Sequence, residues 1–314
     1  MNETGGICMS IFDILKKKDN QTKKGTRHSE KYDTSIIKDN VLSLMKNGIV
    51  METDSKMKNV HKESCKIGGK PFLPIDFTWP TFTSKEDNET RPLSFFCQLN
   101  LSELVPFDKE KLLPDKGILS FFYECESFRC GFDPEDKGAA RVFYYEDMKD
   151  FIPFSIPKGL NEEYIIPEIG IKFETVQSYP LNDEFEIYTG MECEWEEYEN
   201  VLMEIGVNTD DNIDRHKILG YADNIQNEML TECERTKRGL YCGDPESYEN
   251  TPEDVAVDIK DTAKEWVLLL QLSTIEKDDF ERMFGDCGLL YYYIRKDDLT
   301  EKNFENMWFS IQCG

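Results

Sequence analysis

Lys66-Ile67-Gly68-Gly69-Lys70-Pro71, then Leu93-Ser94-Phe95-Phe96-Cys97-Gln98-Leu99, then Gly117-Ile118-Leu119-Ser120-Phe121-Phe122-Tyr123: the reading of this stretch decides the fold. The same order returns as Lys217-Ile218-Leu219-Gly220-Tyr221-Ala222, Leu268-Leu269-Leu270-Gln271-Leu272 and Gly288-Leu289-Leu290-Tyr291-Tyr292-Tyr293. A K-I-x-G turn, an apolar run closing on Gln-Leu and a Gly-aliphatic-aromatic run each occur twice. Self-similarity of this kind points to two related units that share a core. Leu93, Phe95, Cys97 and Leu99 alternate with Ser94, Phe96 and Gln98, the pattern of a strand covered on both faces. The expectation is an α+β fold of two similar, pseudo-duplicated halves, with largely antiparallel β-sheet and packed helices in one compact domain.

Outward from these runs, the first 30 residues read as a flexible tail, and Met9 is an alternative start. Residues 31–314 form the domain, with a first half over about 60–160 and a second over about 173–314. Ile37, Val41, Leu44 and Met45 fall on one helical face, and Asn47-Gly48 reads as that helix's stop. Pro71, Pro74 and Pro80 punctuate a loop presenting Phe72, Phe77 and Trp79. Pro114-Asp115-Lys116-Gly117 is a turn before a strand over 118–123. Gly131 to Gly138 is a loop, with a strand from Arg141 to Tyr145. Met191, Trp195, Tyr198 and Leu202 form a helical stripe expected to face the core, with Glu192, Glu196, Glu197 and Glu199 towards solvent. Gly285-Asp286-Cys287-Gly288 is a tight turn joining the last strand pair, and Met307 to Gln312 is a closing strand.

Apolar residues make up 39% of the chain and aromatics 12%, too many for disorder at a formal charge of −25. Such a surface is a poor partner for nucleic acid, which needs clustered Lys and Arg. The acid is concentrated: no basic residue lies between Lys172 and Arg215, while thirteen Asp and Glu do. One reading is a solvated face. The other is a docking surface for a basic protein or toxin, centred on Glu192, Glu196, Glu197 and Glu199.

The ten cysteines follow no disulfide or zinc spacing, and no C-x-x-C occurs. Free thiols without an export signal point to the cytoplasm. No apolar run is long enough to cross a bilayer. Gly68-Gly69 lacks the rest of a phosphate loop, so no cofactor is expected. Asp210-Asp211-Asn212-Ile213-Asp214 begins like a calcium loop but continues with Arg215 in place of Gly, so no metal is expected there. His28, His61 and His216 are few for acid–base work, and no residue is assigned as catalytic. Gln98 and Gln271 hold one place in the two copies. They either bridge backbone inside a core or line a ligand cleft between the halves together with Trp79, Asp286 and Trp308.

The string Ile67-Gly68-Gly69-Lys70-Pro71-Phe72-Leu73-Pro74, with Trp79-Pro80 and Pro92 to Leu99, resembles the YwqG-like family of bacterial proteins. Gly131-Phe132-Asp133-Pro134 and Arg141 to Asp147 are similar to its middle. His216 to Tyr221, Leu269 to Leu272, Gly285 to Gly288 and Ile311-Gln312-Cys313 are similar to its second half. The resemblance covers roughly residues 60 to 314. Tyr221-Ala222-Asp223 departs from the family's usual Gly-Tyr-Pro. The resemblance implies a compact α+β fold from two similar halves, with no established activity and no catalytic residues to carry over. Some relatives are read as immunity proteins beside toxin genes. The leading expectation is therefore an acidic cytosolic protein-binding module, immunity- or antitoxin-like. The alternative is a small-molecule-binding protein or uncharacterised enzyme with a cleft between the halves.

Overall fold

The computed structural model describes residues 32–314 except 55, 58, 59 and 209–214. The expected tail, the start at Met9 and residues 210–214 lie outside these residues.

Ten strands form one large sheet: β1 (Lys46–Asp54), β2 (Lys66–Ile67), β3 (Ser94–Asn100), β4 (Ile118–Tyr123), β5 (Ala140–Tyr145), β6 (Ile169–Ser178), β7 (His216–Leu219), β8 (Trp266–Leu272), β9 (Leu289–Arg295) and β10 (Trp308–Gln312). Their order is β10-β9-β8-β7-β1-β6-β2-β3-β4-β5. Every neighbouring pair is antiparallel. With the helices packed on it, the fold is α+β. At the centre, β1 and β6 pair in register from Lys46↔Ser178 to Asp54↔Gly170. From that pair, β2 to β5 run outward in sequence on one side and β7 to β10 on the other.

The sheet is nearly a closed barrel, and the two sides meet face to face through aromatic rings. Phe121 lies 5.2 Å from Tyr292, Tyr123 lies 5.7 Å from Phe309, and Phe96 lies 5.5 Å from Phe284. The Tyr292 hydroxyl donates to the carbonyl of Phe122 at 3.3 Å. This inner core also takes Leu99, Leu119, Leu270, Leu290 and Ile311, all fully buried. Buried aromatics dominate such a core because each removes a large apolar area from water.

Three smaller clusters cover the outer faces. One holds Trp266, Leu268 and Tyr291 against helices Leu230–Lys237 and Glu253–Ala263. A second joins helix Thr34–Ser43 to helix Trp195–Glu204 through Ile37, Val41, Tyr198, Val201 and Leu202. Lys38 Nζ and Glu204 Oε1, 2.6 Å apart, tie the same two helices. The third is an aromatic cap in which Phe77 and Trp79 pack on Phe122.

Several local expectations change. Asn47-Gly48 stops no helix; it lies inside β1, because the helix already ends at Ser43 with Leu44 as its cap. Asn47 instead ties β1 to a neighbouring loop: its Oδ1 accepts from Lys109 N at 2.7 Å. Trp195 does not face the core. It opens its helix and is 48% exposed, while Met191 precedes the helix. The buried stripe is Tyr198, Val201 and Leu202, at i, i+3 and i+4. Gly285 to Gly288 links the hairpin strand Phe280–Arg282 to β9, and the last strand pair is β9 with β10.

Candidate functional site

The ends of a curled sheet leave two edge strands, each with one row of main-chain groups unused by the sheet. Here those strands are β5 and β10, and the curl brings them to a common seam. One part of the seam is latched. Ile311 N donates to Cys130 O at 3.1 Å, and Trp308 Nε1 donates to Gly131 O at 2.8 Å. Gly131 sits at φ +84°, and a Cβ there would lie 2.1 Å from Phe309 O, so only glycine fits. Asp136, itself buried, holds the latch loop from below: its Oδ1 accepts from Arg129 Nε at 2.7 Å and its Oδ2 from Gly131 N at 3.1 Å. Burial raises the Asp136 carboxyl above its ordinary range, against the pull of Arg129.

Beside the latch the seam opens into a cavity of about 400 Å³. Its wall on one side is Lys137, Gly138, Arg141 and Phe143, and on the other Phe304 and Trp308. Phe304 and Trp308 are buried, whereas Lys137 and Arg141 are exposed. The site therefore sets a cationic rim over a mixed lining in which Phe143 is the half-buried ring.

Of the residues singled out in the sequence, only Trp308 lines this cavity. Gln98 and Gln271 are fully buried in the sheet, where each bridges backbone. Gln98 Oε1 accepts from Phe72 N at 2.8 Å, and its Nε2 donates to Lys62 O and Ser64 O, each at 2.9 Å. Gln271 Oε1 accepts from Asp223 N at 2.8 Å, and its Nε2 donates to Arg215 O at 2.9 Å and Asp223 Oδ2 at 2.7 Å. Trp79 lies in the aromatic cap and donates to Leu93 O at 2.8 Å. Asp286 is exposed beside the chain terminus, where its carbonyl accepts from Gly314 N. The five residues do not converge on one site.

Asp223 is the hub of a second polar cluster. Lys217 Nζ lies 2.6 Å from it and Arg215 Nε 3.0 Å. Burial opposes ionisation of Asp223, but Lys217 and Arg215 together hold its carboxyl below the usual range. Burial lowers Lys217 in turn. A cavity of about 270 Å³ opens beside this cluster, lined in part by Trp195, Glu199, Arg215 and Asn224. Of the acidic set, Glu192 and Glu196 are exposed, and Glu197 and Glu199 are half-buried. Only Glu199 reaches that cavity.

Lys137 and Arg141 carry no sequence signal of a site. One sits in a polar loop and the other is the second residue of β5, and their meeting with Trp308 depends on closure of the sheet. A family model described as a domain of unknown function, DUF1963, matches residues 65–313, so the chain belongs to that family. Comparison with curated proteins gives no match.

Proposed function

We propose that this DUF1963 protein is a small-molecule-binding protein whose site is the seam cavity between its two halves, and that its domain is YwqG-like and pseudo-duplicated. The observation that carries the reading is the cavity of about 400 Å³ walled by β5 from one half and β10 from the other. That volume falls within the range of ligand pockets, which favour junctions between structural units. The pseudo-duplication is supported by matching registers. Lys66 pairs with Gln98 and Lys217 with Gln271, and each Gln strand is bulged, between Phe95 and Cys97 and between Leu268 and Leu270. A cytoplasmic location is supported by the free thiols of all nine described cysteines. Soaking crystals of the full chain with a fragment library tests the site. Fragments are expected in the seam; fragments bound elsewhere with the seam vacant would refute it.

A second reading keeps the acidic module, immunity- or antitoxin-like, that docks a basic protein. Its support is the exposed Glu192 and Glu196 within a stretch that holds no cation from 173 to 214. Co-expression with neighbouring toxin genes tests it. Failure to neutralise any of them, with no basic protein recovered by pull-down, would end it.

A further inference from the structure

The seam carries a charge anomaly. In a chain of formal charge −25, cations find acidic partners easily, and five of the eight described arginines have one. Arg91 pairs with Asp87, Arg129 with Asp136, Arg215 with Asp223, Arg238 with Asp258 and Arg295 with Glu234. Arg235 and Arg282 are hydrogen-bonded to main-chain carbonyls. Arg141 alone among the described arginines has a side chain with no ion pair and no hydrogen bond. Its guanidinium lies across the open face of Gly138, where a Cβ would stand 3.3 Å from Nη2.

The surroundings reinforce the point. The Lys137 side chain, on the same rim, also has no partner among the described residues. Glu305 is the one acid on the cavity lining, it is exposed, and it lies beyond ion-pair distance of both cations. Close by, Lys237 is held below its ordinary range, first by burial and then by the charges of Arg295 and Lys137, with Asp298 opposing. Two cations without acidic partners thus share one mouth of an otherwise acidic molecule. Behind the rim, half-buried Phe143 offers an uncharged surface, while Phe304 and Trp308 are buried and close the wall beside it.

Building on the seam as the ligand site, we propose that its ligand is an organic anion, a carboxylate or phosphate monoester with an apolar or aromatic body. Arg141 takes the anion through its planar fork and Lys137 adds a point charge. The body lies against Phe143, the half-buried ring of the lining. The guanidinium is left unpaired by the protein because the ligand supplies the oxygens.

The test is calorimetry on the full chain with four probes: 4-phenylbutyrate, its neutral amide 4-phenylbutanamide, phenyl phosphate and inorganic phosphate. The proposal expects the two aromatic anions to bind at least about tenfold more tightly than the amide, the scale of a charge-assisted pair. Inorganic phosphate should bind more weakly than phenyl phosphate. Arg141→Gln should erase the preference for the anion and leave the amide unaffected, and Lys137→Gln should reduce it by less. Raising salt should weaken only the anions. Arg141 is exposed, so its variant should fold; if it does not, the Arg141 Nε–H resonance of the wild-type protein reads contact with the anion directly. Equal binding of amide and anion, with Arg141→Gln silent, overturns the anion assignment and leaves the seam site standing. Equal binding of inorganic and phenyl phosphate overturns the apolar body. Failure of all four probes to bind, with the Arg141 Nε–H resonance unmoved, overturns the site itself.

Discussion

Replacing Gln98 by Glu changes one NH₂ into one oxygen and leaves shape and volume in place. The native amide is matched at both ends: Oε1 receives Phe72 N, and Nε2 faces the carbonyls of Lys62 and Ser64. A protonated carboxyl keeps the acceptor and one donor, so Gln98→Glu should cost only about 1 kcal/mol at low pH. Once ionised, the new oxygen would face two carbonyl oxygens in a fully buried position. The nearest ammonium on the paired strand, Lys66, is already held by Glu168 at 2.9 Å and Lys70 O at 2.8 Å. The folded state should therefore hold the proton, with its pKa raised several units. A raised carboxyl pKa gives stability that is full below the unfolded pKa and lost as pH rises towards the folded one. The slope is about 1.4 kcal/mol per pH unit, so the variant should lose about 3 kcal/mol relative to wild type between roughly pH 5.5 and 8. Urea unfolding followed by circular dichroism across that range reads the difference. A pH-independent difference, as if Lys66 had swung over to neutralise the carboxylate, would refute the argument.

Lys217→Met should destabilise the protein by about 3 kcal/mol in the same assay, since it strips the closest cation from buried Asp223. Burial drives Glu184 up to about 8, with Lys46 partly opposing. The stability it lends is full below about 4.5 and fades as pH climbs towards 8. Glu184→Gln should therefore gain on wild type as pH rises from 5 to 8, by a few kcal/mol at most; a constant offset in denaturation midpoint would contradict this. Gly131→Ala should cost about 2 kcal/mol or more, because a side chain is strained at φ +84° and meets Phe309 O; an unchanged melting temperature would show the latch to be adjustable. Glu192→Lys with Glu196→Lys should alter stability by less than about 1 kcal/mol, both side chains being exposed.

The strands of the two repeated runs were legible because their signal is local. Ser94–Asn100, Ile118–Tyr123, Trp266–Leu272 and Leu289–Arg295 are dense in apolar residues, and turns announce them. The central pair β1 and β6 was not legible. Lys46–Asp54 begins with Asn47-Gly48, buried but reading as a turn, and ends on outward Glu52 and Thr53, and Ile169–Ser178 carries exposed Lys172 and Glu174. Their strand character comes from each other, across more than a hundred residues, and no window along the chain contains both. The acidic helix was legible as an element but not in its start. An i, i+4, i+7, i+11 pattern from Met191 matched a stripe, and nothing marked Glu194 as the cap. The seam was hidden for a different reason: Arg141, Lys137 and Trp308 meet only after ten strands have closed.

The central pairing also sets a timetable for biosynthesis. β1 leaves the ribosome before either of its neighbours exists, since β6 and β7 begin at Ile169 and His216. At about 5 to 20 residues per second, the roughly 115 residues between β1 and β6 take on the order of 6 to 23 seconds to make. Throughout that interval β1 lacks the strand partners of both its edges. A nascent chain in this state is a natural client for holdase chaperones. A stalled or truncated N-terminal half would be left holding an unmated strand, prone to capture by another copy.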